Sequence, residues 1–105
     1  MFLTAADRSA EPLHTSAAVV AQVWRDGSRQ ARLAPVLKGV EIHPLDDGRA
    51  VGSLLALSGG SDVTDAHVVL LAVSLTQRIL TGDPDDLRAL AAPLGRSRPD
   101  VLHWA

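Results

Sequence analysis

Apolar and polar positions along this chain switch between two periods, and each change of period marks an element. Near the start, Phe2, Leu3, Ala5 and Ala6 read as the tail of a helix, closed by the polar stretch from Asp7 to Pro12. Leu13-His14-Thr15 is a short strand. Thr15 or Ser16 then N-caps a helix through Arg25, in which Val20, Val23 and Trp24 form an apolar stripe at i, i+3, i+4. Gly27 ends that helix. Ser28 caps a second helical stretch, which Pro35 disturbs and Gly39 terminates. Val40-Glu41-Ile42-His43-Pro44-Leu45 alternates in hydrophobicity and predicts a strand that stops at proline.

Asp46 is placed to cap the next helix, with Val51, Leu54 and Leu55 inward and Ser58-Gly59-Gly60 as its end. Asp62 caps a longer one whose run from Val68 to Val73 is apolar nearly all round, the mark of a helix buried against a sheet. Arg78-Ile79-Leu80-Thr81 is a short strand. Gly82-Asp83-Pro84-Asp85-Asp86 opens a further helix, with Asp at N-cap, Pro at N1 and acids in the first turn. Val101-Leu102-His103-Trp104 supplies a last strand. This alternation predicts an α/β fold, with a mostly parallel sheet flanked by helices. No repeat, low-complexity segment or linker interrupts it, so residues 1–105 form one domain.

Composition narrows the chemistry. The chain has no cysteine, which removes disulfide scaffolds, thiolate metal sites and cysteine nucleophiles together. Its formal net charge of -2 gives no global basic field of the kind that marks many nucleic-acid binders. Phe2, Trp24 and Trp104 are its aromatic residues, too few for a base-stacking platform. The first six residues lack the pattern of a secretory signal, and no apolar run approaches the roughly 20 residues of a membrane span. A soluble, cytoplasmic protein is expected.

In a sheet of this kind, sites form beyond the carboxyl ends of strands, at the loops that lead into helices. Two such loops, Gly60 to Asp65 and Thr81 to Asp86, are rich in aspartate. Convergent carboxylates without cysteine or an evident histidine cluster suit Mg2+ or Mn2+, hard cations that take oxygen ligands and keep several waters. Such ions activate water and stabilise the leaving oxygen in phosphodiester hydrolysis. Each acid also has a plainer reading. Asp62 and Asp83 are good N-caps, Asp65 favours the dipole of its helix, and Asp85 and Asp86 are solvent-facing first-turn acids.

The stretches Thr15-Ser16-Ala17-Ala18-Val19-Val20-Ala21-Gln22-Val23-Trp24-Arg25, Ser61-Asp62-Val63-Thr64-Asp65-Ala66-His67-Val68-Val69 and Leu80-Thr81-Gly82-Asp83-Pro84-Asp85-Asp86-Leu87 occur in the same order as motifs of the PIN domain. From about residue 13 onward the chain resembles the VapC-like toxin ribonucleases of bacterial toxin–antitoxin modules. The resemblance implies a PIN-like three-layer fold and a Mg2+-dependent endoribonuclease directed at single-stranded RNA. It also implies a homodimer inhibited by a cognate antitoxin. Residue by residue, it makes Asp65 and Asp83 catalytic metal ligands, with Asp62 an auxiliary ligand or cap and Thr81 a hydrogen-bonding partner of Asp83.

Two departures stand out. The family's glutamate on the early helix falls at Gln22, whose amide would at best hold a metal-bound water. The family's first aspartate closes an N-terminal strand that is expected to be absent from this chain. That strand lies mid-sheet, so its loss would split the remaining strands and leave buried backbone groups unpaired, at about 1–3 kcal/mol each. A domain with about 5–15 kcal/mol of stability tolerates few of these. Either the chain begins internally relative to its parent, or it is a remnant, or it rearranges or borrows a strand. The helix-like opening, which starts mid-pattern, favours an internal start. A catalytically degenerate fragment that binds an antitoxin or dimerises is the alternative function.

The remaining features are weaker. Arg25, Arg29 and Arg32 fall at helical spacing and can track an RNA backbone, though such a row also describes a solvated face. His14, His43, His67 and His103 lie on separate elements without metal-site spacing, and His67 is expected to pack or face solvent. Trp24 belongs to core or dimer interface. Gly59-Gly60 is not a phosphate loop, because no Gly-Lys-Ser/Thr follows.

Overall fold

The computed structural model describes residues 12–103 in full and residues 3–5 by their backbone. Five strands form one sheet in the order β3-β2-β1-β4-β5: β1 Leu3–Ala5, β2 Leu13–Ser16, β3 Val40–His43, β4 Arg78–Thr81 and β5 Val101–His103. β2 runs parallel to β3, and β4 runs parallel to β5. β1 lies between these two pairs and is antiparallel to both, with Thr4 opposite His14 on one side and Ile79 on the other.

This corrects two expectations. Leu3–Ala5 is a strand and not the tail of a helix. The sheet is accordingly mixed and not mostly parallel. The physical reason is the gap that the sequence already implied: without a central strand, the inner edges of β2 and β4 would expose unpaired backbone groups. A three-residue segment has too little periodicity to declare itself, and the two vacant edges select an extended backbone for it. Phe2 and Ala6, which flank it, lie outside the described residues, as does Trp104 beyond β5.

The helices mostly begin where side-chain oxygens can cap them. Ser16 Oγ accepts from the Ala18 amide at 3.0 Å to start α1, Ala17–Trp24. Asp26, and not Ser28, caps α2, Gly27–Leu37, accepting from the Ser28 amide at 3.0 Å; Pro35 lies inside α2 without ending it. Asp47 takes the place expected for Asp46 and caps α3, Gly48–Ser58, through the Ala50 amide at 3.0 Å. Asp62 caps α4, Val63–Leu75, as expected, and α5, Pro84–Ala91, starts with proline in its first turn. A 3-10 segment, Ala92–Ser97, then leads towards β5.

α4 is the centre of the packing. It touches β1, β2 and β4, and it meets α3 and α5 on its other sides. Its Ala66, Val68, Val69 and Ala72 are buried in one core cluster that includes Val19, Leu54, Ile79 and Leu87. The apolar-all-round reading of this helix holds. On α1 the buried residue is Val19, whereas Trp24 is 39% exposed and does not belong to the core. β2 is covered on both faces, because Thr15 and its neighbours His14 and Ser16 are all buried.

A proline at residue 4 would remove a donor from the middle of the sheet and obstruct the pairing on either side. Thr4→Pro is expected to lower unfolding free energy by about 2–3 kcal/mol in urea titrations. A loss below about 0.5 kcal/mol, the range of neutral surface changes, would mean that β1 does not hold the centre of the sheet.

Candidate functional site

The two aspartate-rich loops meet. Asp62 Oδ1 accepts from the Asp65 amide at 2.9 Å, so this acid is engaged as the cap of α4. That hydrogen bond also fixes where Asp65 sits, on the first turn, with 7% of its surface exposed. Asp83 stands at the N-cap of α5 but makes no side-chain capping bond. Thr81, fully buried at the end of β4, accepts the Asp83 amide instead, with Oγ1 at 3.0 Å. The capping reading therefore accounts for Asp62 and leaves the Asp83 carboxylate unused. Thr81 is the partner of Asp83 through its backbone.

A cavity of about 460 Å³ opens between the loop after α3, the start of α4 and α5, with Asp62, Asp65, Asp86 and Leu90 in its wall. Gly60 permits this close approach, since a Cβ there would stand 2.8 Å from Leu90 Cδ2. Burial first, then the charges of Asp62, Asp86 and Asp83, push the Asp65 carboxyl up from 3.8 to about 6. Among the described residues, no hydrogen-bond donor reaches that carboxylate. Asp86, read from the sequence as a solvent-facing helix acid, is thus part of this wall, while Asp85 pairs with Arg88 at 3.8 Å. The hint was its spacing: three residues after Asp83, one turn along the same helix face.

Gln22 reaches the same corner. Its Nε2 donates to Thr64 Oγ1 at 3.1 Å, which places the amide beside the residue before Asp65. The three arginines divide between elements. Arg25 follows α1, Arg29 pairs with Asp26 at 3.4 Å, and Arg32 lies on α2 near Arg29, Val23 and Leu33. They do not form one row on a single helix, because Asp26 and Gly27 start a new one.

The histidines are where sequence spacing misled. Parallel pairing of β2 with β3 puts His14 opposite Glu41 and Ser16 opposite His43. Among the described residues, His14, Glu41 and His43 form the one trio of His, Cys, Asp or Glu side chains whose ligand atoms lie within 4.8 Å of one another. This trio can hold a metal ion; the aspartates do not converge as tightly. Glu41-x-His43 was visible as one face of a strand, but His14 is 29 residues from His43, and only strand pairing joins them. His67 is buried on α4 with Nδ1 hydrogen-bonded to Ser16 Oγ at 2.6 Å. Burial, followed in order by Asp46 acting upward and His43 acting downward, lowers its pKa from 6.5.

Comparison with protein-family models, curated proteins and solved structures finds no match to this chain. No single helix among the described residues is long and apolar enough to cross a membrane.

Because the folded state holds the Asp65 proton more tightly than the unfolded chain, stability falls as pH rises from about 4 to about 6 and stays lowered above. At about 1.4 kcal/mol per pKa unit, the upper bound of this penalty is about 3 kcal/mol. Asp65→Asn is expected to unfold at higher urea than the parent at pH 7.5 by about 1–3 kcal/mol, and to lose the pH dependence between 4 and 6. An unchanged or lower stability at pH 7.5 would show that burial and the acids around Asp65 do not hold its proton.

Proposed function

We propose that this chain is a PIN-like endoribonuclease domain of the VapC-like toxin type, which cleaves single-stranded RNA with Mg2+ or Mn2+ at Asp65 and Asp83. The observation that carries the reading is the Asp65 carboxylate: buried, without a donor among the described residues, and close to the charges of Asp62, Asp86 and Asp83. A structural carboxylate would be expected to have a donor or a cationic partner. A carboxylate crowded by like charges is relieved by a hard divalent cation, which inverts the local sign. The donor set fits that cation, being oxygen throughout.

The bound cation supplies an activated water and offsets charge on the leaving oxygen. Asp65 and Asp83 bind it. Asp62 holds the Asp65 backbone, Thr81 holds the Asp83 backbone, and Asp86 adds negative charge to the cavity. At Gln22 the site carries an amide where the resemblance implies a carboxylate. RNA as substrate, a homodimer and a cognate antitoxin follow from the same resemblance. Exposed apolar surface at Trp24 of α1 and Val36 of α2 supports protein contacts there.

A second reading, a non-enzymatic module that binds an antitoxin or dimerises, is favoured by one specific observation. β1, Leu3–Ala5, pairs with β4 through Leu3 opposite Leu80 and contains no carboxylate. The implied first aspartate therefore has no counterpart on the central strand.

The purified chain is expected to cut single-stranded RNA in Mg2+, with EDTA abolishing cleavage. Asp65→Asn or Asp83→Asn should lower it at least about 100-fold, and Gln22→Glu should raise it. Folded protein that leaves RNA intact in Mg2+ and Mn2+, including as Gln22→Glu, would decide for the non-enzymatic module.

A further inference from the structure

Outside the acidic cavity, three atoms meet on the face of β2 and β3. His14 Nδ1 lies 2.8 Å from His43 Nε2 and 3.1 Å from Glu41 Oε2, and His43 Nε2 lies 4.0 Å from the same oxygen. Proton counting puts these atoms in competition. A ring nitrogen carries either one proton or one lone pair. If His14 Nδ1 is protonated, its single hydrogen is divided between His43 and Glu41. If it is not, its lone pair accepts from His43 and faces the carboxylate oxygen. A cation bound between them removes the conflict, because each atom can then offer it a lone pair.

The distances fit such a cation. A triangle with sides of 2.8, 3.1 and 4.0 Å has a circumradius, their product divided by four times its area, of about 2.0 Å. One point therefore lies about 2.0 Å from all three atoms, and the Glu41 carboxylate, nearly opposite His43 Nε2 at that point, would swing on its exposed side chain to reach the tetrahedral angles zinc prefers. Exposure is graded across the trio: the His14 side chain is 7% exposed, that of His43 30% and that of Glu41 61%. The ion would be anchored on a buried ligand with its open side towards solvent. Two imidazoles and one carboxylate select borderline metals over Mg2+, which takes oxygen.

We propose that His14, Glu41 and His43 form a zinc-class site, separate from the acidic cavity, that binds one borderline divalent cation and ties β2 to β3. The ligands are two strands' worth of side chains already held in register by four residue pairs, Leu13 with Val40 through Ser16 with His43. Little chain order then has to be gained on binding, and the ion adds a cross-link between β2 and β3, with β3 at the edge of the sheet. The sheet places the three ligands without help from the aspartates.

The test is calorimetric titration of the full chain, stripped of metal, with Zn2+, alongside Co2+ absorption. One Zn2+ per chain is expected, with a raised Tm and no displacement by millimolar Mg2+. His43→Ala and Glu41→Gln, each checked for native circular dichroism, should each weaken Zn2+ binding at least tenfold. Asp65→Asn/Asp83→Asn should leave it within twofold, so that failure of the ribonuclease reading and failure of this site are distinguishable. Absence of Zn2+ binding by folded protein, or full affinity in either His43→Ala or Glu41→Gln, would overturn the site. So would loss of binding in the double aspartate variant.

Discussion

The middle of the sheet is the constraint on which the rest depends. β2 and β4 each bring a parallel partner, and each would present an open inner edge to the other without β1. Both edges lie under α4, where water cannot satisfy them, so an unfilled gap would cost several unpaired backbone groups. β1 closes the gap with three residues running against both neighbours. An antiparallel strand has the same backbone donors and acceptors as a parallel one, which is why direction is negotiable where occupancy is not.

Once the sheet is closed, α4 becomes the element that organises chemistry. Its capped N-terminus delivers Asp65 to the acidic cavity, and two residues later His67 reaches Ser16 on β2. Two steps along an α-helix turn about 200°, so these side chains leave on nearly opposite sides. The acidic cavity and the histidine face are therefore served by one helix. Burial lowers the His67 pKa, which favours its neutral form, and the residue lies near His43 without joining the trio.

Much of the local structure was legible. Ser16, Asp62 and Pro84 announce helix starts by chemistry within four residues, and the α4 run announces burial by lacking a polar face. Errors of one or two residues, Asp26 for Ser28 and Asp47 for Asp46, arose where neighbouring residues could each supply the capping oxygen. The acidic loops were legible as loops. Which acids act as caps was not, because Asp62 and Asp83 are alike in sequence and differ only in what Thr81 does beside one of them.

By itself the sequence determined the helices, four of the five strands and the two aspartate loops, since each rests on interactions within a few residues. The tertiary structure alone decided the strand state and direction of Leu3–Ala5, the burial and crowding that lift Asp65, and the meeting of His14 with Glu41 and His43. All three depend on which strands and helices become neighbours. That choice is made by vacant sheet edges and by burial of α4, not by spacing along the chain.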